Sequence, residues 1–191
     1  HTFGLDEVRR FNVMQGGAIP IFADEHTMGF LRGIYRHIFE KERNVNDSFV
    51  ATLLPRTITE AEIEGGRGIE LFGVRVTPFR MLHGGLPILS YRFDGAERGG
   101  VLPLAYCTDV SGVPPKSWKH LEGLKTLVID ALRHRKHPTH FTLEQAMGVA
   151  ERVRPERTYF THIAHEMGFA ETQATLPAGM SLAWDGLVLG G

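Results

Sequence analysis

The clearest fold signal in the chain is Leu124-Lys-Thr-Leu-Val-Ile129, followed by Thr142-Leu-Glu-Gln-Ala-Met-Gly-Val-Ala-Glu-Arg-Val153 and Thr158-Tyr-Phe-Thr161. The first segment is an almost continuous apolar run, which is typical of a strand covered on both faces. The second begins with Thr142 and Gln145, a capping-box pair, and its apolar residues recur at helical spacing until Pro155. The third is another short strand. This succession predicts a layered α/β fold in which helices cover sheets.

The segments around this stretch predict further strands. Residues 69–81, 88–93 and 101–107 read as a meander of strands, because Gly, Pro or Asp ends each run. Residues 27–39 show helical spacing, and a helix is expected there. Residues 60–68 carry charge and glycine and are expected to form a loop or the end of a hairpin. Residues 180–189 should add one or two more strands.

The composition is that of an ordinary globular chain. Of its 191 residues 42% are hydrophobic and 23% charged, and the formal net charge is −1, so no general attraction to nucleic acid or anionic membranes is expected. No apolar run approaches the ~20 residues that a membrane-spanning helix needs. The single cysteine, Cys107, excludes an internal disulfide framework. A lone cysteine is typical of a reducing compartment, and a cytoplasmic location is therefore expected.

Four histidines and one aspartate fall at expected strand ends or just inside turns. They are His1, His83, Asp109, His140 and His162. Imidazole and carboxylate groups are common ligands of divalent transition metals. The pattern therefore indicates a metal centre whose ligands come from several strand ends.

Each of these residues also has a simpler explanation. A lone histidine such as His83, before Gly84 and Gly85, is more often a surface-loop residue. Asp109 opens a Ser-Gly turn, in which aspartate commonly hydrogen-bonds its own backbone. The loop 133–140 holds three histidines and three cations. Such a loop is either a solvated surface or a place where cationic donors gather phosphate oxygens.

Five short motifs are weak singly and specific together. They are His1-Thr-Phe-Gly-Leu-Asp-Glu-Val-Arg9, Leu82-His-Gly84, Tyr106-Cys-Thr-Asp109, His137-Pro-Thr-His-Phe-Thr142 and Phe160-Thr-His-Ile-Ala-His165. With these motifs the chain resembles a metallo-β-lactamase-fold metallohydrolase, in the phosphodiesterase branch that includes tRNase Z and ribosyl cyclic-phosphate phosphodiesterase. The first motif resembles the continuation of the family's His-x-His-x-Asp-His motif. The two earlier histidines and the aspartate of that motif are expected upstream of this sequence.

The resemblance implies a hydrolytic site with two divalent metal ions, zinc or manganese. His1, His83 and His162 match metal ligands of the family, and Asp109 matches the carboxylate that bridges the two ions. His140 matches a histidine that is not a ligand, contacts the phosphate and can act as the general acid. The expected reaction is hydrolysis of a small or cyclic phosphodiester by a hydroxide shared between the ions.

Three further residues are predicted to serve this site. Asp130 is expected either to orient an imidazole from the side away from the metals or to cap the end of its strand. His137 and His165 are expected to line the phosphate pocket.

The resemblance also implies an architecture. We expect an αββα sandwich of the metallo-β-lactamase type whose N-terminal part is absent from this sequence. Residues 1–191 would be the larger, C-terminal part of a single domain, with residues 35–68 as a family-variable insertion. A homodimer is considered because dimers are common in the family.

Other activities on the same fold stay open. A tRNase Z-like endonuclease is less favoured, because no Gly/Pro-rich arm suited to clamping tRNA is present in the sequence and the net charge does not favour nucleic acid. A lactonase or another ester hydrolase is an alternative, because fold does not settle substrate. A non-catalytic scaffold that has lost its metals is the alternative outside enzymes.

Overall fold

The computed structural model describes residues 2–44, 49–96 and 100–190, and the chain forms two compact units, 1–62 and 63–191. The first unit contains α1 (Arg9–Gln15), β1 (Ile19–Asp24), α2 (Glu25–Ile34), α3 (Arg36–Phe39) and β2 (Leu53–Ile58). Strands β1 and β2 pair in parallel over their full length. Five buried residues form the core of this unit: Leu31, Tyr35, Ile38, Ala51 and Leu53.

Helix α4 (Glu60–Glu64) spans the boundary between the two units in sequence. The second unit then contains β3 (Ile69–Leu71), β4 (Val74–His83), β5 (Leu86–Gly95), β6 (Leu104–Cys107), β7 (Thr126–Asp130), α5 (Leu143–Val153), β8 (Arg157–Thr161), α6 (Phe169–Thr175) and β9 (Met180–Leu182). A 3₁₀ helix, Pro115–Leu121, lies between β6 and β7.

The seven strands of the second unit form one sheet in the order of the chain. Pairing is antiparallel from β3 to β6 and parallel from β6 to β9. Strand β4 points in the same direction as β6, because both are antiparallel to β5. The carboxyl ends of β4, β6, β7, β8 and β9 therefore lie at one edge of the sheet. Open α/β sheets bind their ligands at such an edge.

The core of the second unit confirms the strand and helix predictions of the stretch 124–161. All five residues of β7 are buried, as the continuous apolar run predicts. The capping box of α5 is present, with Gln145 N donating to Thr142 Oγ1 and Thr142 N donating to Gln145 Oε1. Full burial of an aliphatic or aromatic side chain such as Ile129 or Phe160 contributes roughly 1.5–3 kcal/mol.

The structure corrects the prediction for residues 60–68, which begin with a helix rather than a loop. Thr59 and Glu62 form a capping box, because Glu62 N donates to Thr59 Oγ1 while Thr59 N donates to Glu62 Oε2. The sequence contains this Thr-x-x-Glu capping signal. The charged residues and glycines of the same segment favour a loop, and the prediction followed them.

Other element boundaries also differ from the predictions. The run 69–81 is two strands, β3 and β4, joined by a turn in which Phe72 and Gly73 both have positive φ, 53° and 80°. Helix 27–39 is divided at Tyr35, whose φ and ψ of −101° and 44° leave the helical region. The strand expected at 101–107 begins only at Leu104, and one short strand, β9, forms within 180–189.

No helix among the described residues has both the length and the apolar character required to cross a membrane. The assignment of residues 1–191 to a single domain with an insertion at 35–68 stays a prediction.

Candidate metal centre

The residues of the candidate site lie at or just after the ends of four strands of the second unit and in the loop that follows β7. His83 is the last residue of β4 and Asp130 the last of β7, whereas Asp109 and His162 follow β6 and β8 within two residues. His140 lies in the connection from β7 to α5. Since the carboxyl ends of these strands share one edge, residues far apart in sequence meet there.

Asp109, His140 and His162 form the centre of this cluster. Each of them presents one donor atom, and the three donor atoms lie within 4.8 Å of one another. His162 Nε2 lies 3.0 Å from Asp109 Oδ1. One carboxylate oxygen and two imidazole nitrogens are the donor set of many catalytic zinc sites, which keep a further position for water or substrate. Asp109 and His162 therefore fit a divalent transition-metal ion, and His140 is placed either to complete the donor set or to act beside the metal.

The backbone is strained at two members of this cluster. Asp109 and His162 have φ values of 56° and 61°, in the left-handed region that non-glycine residues rarely adopt. Strain of this kind costs on the order of 1–3 kcal/mol at each residue and persists where the surrounding structure imposes it, which is common at functional sites.

His83 lies beside the cluster of three. Its Nδ1 is 2.9 Å from the backbone carbonyl oxygen of Asp109, so Nδ1 carries the proton and donates it. The other nitrogen, Nε2, is then the available donor atom for a metal. The ring of His83 packs edge-on against His140, with centroids 4.7 Å apart. Ser111 supports this strand end, because its Oγ accepts from Gly84 N and donates to the carbonyl oxygen of Leu82.

Asp130 contacts His140 at the Nδ1 atom of the ring. Its Oδ2 lies 2.6 Å from His140 Nδ1 and also accepts a hydrogen bond from the backbone N–H of Val110 at 3.0 Å. The Asp130 side chain is fully buried. Burial raises the pKa of the Asp130 carboxyl, and the hydrogen bond from His140 acts in the opposite direction. Asp130 thus contacts both an imidazole of the cluster and the backbone of the loop after β6, and its role at the site stays a prediction.

His137 is close to the cluster and His165 is not joined to it. The rings of His137 and His140 have centroids 5.0 Å apart, and Thr139 N lies 3.3 Å from His137 Nδ1. Desolvation, followed by the charges of His140 and Arg133, lowers the pKa of His137. His165 is exposed, and within the described residues it makes no hydrogen bond or ring contact with the cluster.

Main-chain hydrogen bonds hold the loops of the site together. Phe141 N donates to the carbonyl oxygen of Val110, which fixes the segment that carries His140 against the segment that follows Asp109. Ala164 N donates to the carbonyl oxygen of Leu132, which ties the segment after His162 to the same loop.

Two cations of the loop 133–140 are paired within the protein. Arg133 and Arg135 both donate to Glu166 Oε1, at 3.1 and 2.9 Å. These contacts connect the loop to the segment after β8. Two of the three cations of the loop are therefore ion-paired with Glu166.

Two hydroxyl groups that support the site, those of Thr108 and Ser111, are not predicted by the sequence pattern. Thr108 Oγ1 donates to Asp109 Oδ2 at 3.1 Å, and Ser111 supports the His83 strand end. Both lie within the Tyr-Cys-Thr-Asp-Val-Ser motif, although their spacing alone does not reveal these contacts. His1 lies outside the described residues, and its assignment as a ligand stays a prediction.

A family model described as "Beta-lactamase superfamily domain" matches residues 1–163. Among solved structures, the chain is similar to a "New Diphosphatase from the PhnP Family", with 37% identity, a TM-score of 0.78 and coverage of 96% of this chain and 64% of that one. It is also similar in fold to the short form of human tRNase Z, with 19% identity, a TM-score of 0.69 and coverage of 98% and 73%.

A curated relative, an octanoyltransferase of Porphyromonas gingivalis, is 25% identical over 189 residues, which are 98% of this chain and 35% of that protein. The chain thus spans about a third of this relative and 64% of the diphosphatase. The family model covers most of the chain, and the mixed α/β architecture agrees with it. The chain therefore belongs to the beta-lactamase superfamily domain family and has the metallo-β-lactamase fold that its motifs predict.

Proposed function

We propose that this protein is a metal-dependent phosphodiesterase that hydrolyses a small or cyclic phosphodiester. Members of this fold family are metal-dependent hydrolases, phosphodiesterases among them. The observation that carries the proposal is the convergence of Asp109, His140 and His162, with their donor atoms within 4.8 Å of one another. The similarity to the diphosphatase, at 37% identity, supports a substrate that carries phosphate.

Asp109 and His162 are the residues that would hold the metal, with His83 and His1 as the further ligands that the family motifs imply. A pair of zinc or manganese ions would supply water with a lowered pKa and positive charge beside the phosphate oxygens. In the protein itself, the hydrogen bond from His83 Nδ1 to the Asp109 carbonyl and the bond from Thr108 to the Asp109 carboxylate hold two of these donors in place.

His140 is proposed as the proton donor to the leaving alkoxide. Asp130 accepts from His140 Nδ1, which fixes the ring orientation and leaves Nε2 as the working nitrogen. The same arrangement, an imidazole backed by a carboxylate, also occurs in metal-binding histidines. The metal content of a His140 variant separates the two roles, because a proton donor is dispensable for metal binding and a ligand is not.

The experiment that tests the function is a substrate panel. Full-length protein is loaded with zinc or with manganese and assayed with bis-p-nitrophenyl phosphate, a ribose cyclic phosphate, a lactone and a pre-tRNA. Turnover of the two phosphodiesters, and little of the lactone, is expected. Salt-sensitive cleavage of the pre-tRNA alone would support the endonuclease instead, because contacts to an RNA backbone weaken as salt rises.

A panel with no turnover by either metal form would contradict the proposal and favour a non-catalytic scaffold. The homodimer and the cytoplasmic location stay predictions.

A further inference from the structure

A cleft of ≈ 480 Å³ lies beside β9 in the second unit. It is lined by Phe169 and Gln173 of α6, by Ser181 of β9 and by Trp184, which follows β9. The rings of Phe169 and Trp184 meet edge to face, with centroids 6.4 Å apart and an interplanar angle of 87°. Its volume falls within the roughly 300–1,000 Å³ that is usual for small-molecule sites.

The two aromatic rings of this cleft remain open to solvent. Phe169 is 46% exposed and Trp184 is 54% exposed, whereas Phe160, at the end of neighbouring β8, is fully buried. Burial of a large aromatic side chain is energetically favourable, so a ligand that covers one gains binding free energy. Two such rings in contact on a concave surface provide a platform on which a planar ring can pack.

The cleft also has polar groups at its edge. Gln173 Oε1 accepts from the backbone N–H of Leu182 at 2.8 Å, which fixes the position of the side-chain amide. In the described part of the chain, neither the Gln173 NH₂ group nor the Ser181 hydroxyl makes a hydrogen bond. Both remain as donors beside the two aromatic rings. Such a combination suits a planar group that has hydrogen-bond acceptors along its edge.

Strand β9, which lines the cleft through Ser181, ends at the same sheet edge as the strands of the candidate metal centre. Strands β8 and β9 are parallel neighbours with Phe160 opposite Leu182, and Ala183 N continues the pairing by donating to the Phe160 carbonyl at 2.7 Å. His162 follows β8 and Trp184 follows β9, on strands about 4.8 Å apart. Residues 162–168 run directly from the centre to α6, which supplies Phe169.

From this juxtaposition we propose that the Phe169–Trp184 cleft is a nucleobase subsite, so that the substrates are nucleotide-type phosphodiesters whose phosphate is held at the metal centre. The base packs against Trp184 and Phe169 and presents its acceptor edge to Gln173 and Ser181. This inference rests on the proposed phosphodiesterase function and narrows its substrate class. Stacking on an aromatic side chain recognises any base, and the polar edge adds selectivity.

Calorimetry on the full-length protein tests the subsite with two probes, adenosine 5′-monophosphate and ribose 5-phosphate, which differ by the base. The wild-type protein is expected to bind the nucleotide more tightly. Trp184→Ala should weaken nucleotide binding roughly tenfold and leave ribose 5-phosphate binding unchanged. Phe169→Ala should act in the same direction. Gln173→Glu keeps the acceptor for Leu182 N–H but removes the NH₂ donor, and should also weaken the nucleotide.

Phe72→Ala is the matched control, because Phe72 is a fully exposed aromatic residue in the turn between β3 and β4. It should change neither affinity. Equal affinity of the wild type for the two probes, or an equal loss of both in Trp184→Ala, would overturn the subsite. If Trp184→Ala does not fold, Phe169→Ala and Gln173→Glu carry the same comparison.

The affinity for a single-stranded tetranucleotide shows whether the bound base belongs to RNA or to a free nucleotide. Tighter binding than the mononucleotide, lost in Trp184→Ala, assigns the cleft to a base within RNA, and affinity equal to that of the mononucleotide assigns it to a free nucleotide. Selective nucleotide binding without turnover of bis-p-nitrophenyl phosphate would contradict the proposed function and not the subsite. Turnover of bis-p-nitrophenyl phosphate without selective nucleotide binding would contradict the subsite alone.

Discussion

Asp130 Oδ2 and His140 Nδ1 lie 2.6 Å apart, and the carboxylate that makes this contact is completely buried. The same oxygen accepts the backbone N–H of Val110, so one atom ties the end of β7 both to the loop after β6 and to the imidazole at the site. Its partner oxygen, Oδ1, is buried and has no hydrogen-bond partner within the described residues. A buried carboxylate held in this way fixes the orientation of the ring it contacts.

Replacement of Asp130 by Asn should lower kcat for a phosphodiester by about 10- to 100-fold while the protein stays folded. The amide retains an oxygen for Val110 N–H but cannot hold a protonated imidazole as a carboxylate does. Steady-state kinetics and circular dichroism check this. Asp94→Asn is the control, because Asp94 pairs with Arg92 away from the cluster. If Asp130→Asn has the kcat of the wild type, Asp130 has no role in orienting His140 for catalysis.

Replacement of Thr142 by Ala should lower the free energy of unfolding by about 1 kcal/mol, because α5 loses the hydroxyl that caps Gln145 N. Thr142→Ser retains the capping oxygen and should stay close to the wild type. Urea unfolding measures both variants. An equal loss of stability in the two would show that the methyl group, rather than the cap, stabilises this position.

Acid should destabilise the protein partly through His120. Burial, followed by the charges of Lys119 and Arg92, lowers the pKa of His120 from its ordinary 6.5. The unfolded chain therefore takes up a proton on this residue at a higher pH than the folded one. The associated stability is complete above the ordinary pKa and is lost as the pH falls from 6.5 toward the lower folded pKa.

His120→Phe tests this pH dependence, because the new ring can retain the stacking on Phe79, whose centroid lies 5.1 Å from that of His120. The free energy of unfolding of this variant should fall less than that of the wild type between about pH 7 and about pH 5.5. His26→Gln, at an exposed position, is the control. Identical pH dependence of the wild type and His120→Phe would contradict the assignment.

Cys107 should not react with thiol reagents in the folded protein. Its side chain is fully buried at the end of β6, and burial raises the pKa of the thiol to about 12. The thiolate, which is the reactive form, is therefore scarce at about pH 8. Peptide mapping after treatment with iodoacetamide should show unmodified Cys107 in native protein and full modification in guanidinium. Modification at similar rates in both states would show that β6 opens readily.

The strands and the candidate ligand residues were predictable to different degrees. Buried β7 and capped α5 follow from local patterns, and Asp109 and His162 follow from short motifs at strand ends. The helix at 60–64 was missed because one local signal, the Thr59–Glu62 cap, competed with glycine and charge. The turn at Phe72 was missed because its residues carry no typical turn signature apart from Gly73.

The remaining features depend on tertiary contacts that sequence spacing does not encode. His165 follows His162 by three residues and yet is exposed, because residues 162–168 form bends and turns rather than a helix that would place the two rings on one face. The pairing of Arg133 and Arg135 with Glu166, and the meeting of Phe169 with Trp184, join segments that the sheet brings together. Sequence patterns predicted residue types that could bind a metal, and the shared sheet edge determines which of these residues meet.

The metal content of the full-length protein and of three variants tests the central claim most directly. Elemental analysis should find close to two divalent ions in the wild type, a clear loss in Asp109→Asn and His162→Ala, and wild-type content in His140→Ala. Loss of metal in His140→Ala would make His140 a ligand rather than a proton donor. Unchanged metal content in both Asp109→Asn and His162→Ala, or no metal in the wild type, would contradict a metal centre at this cluster.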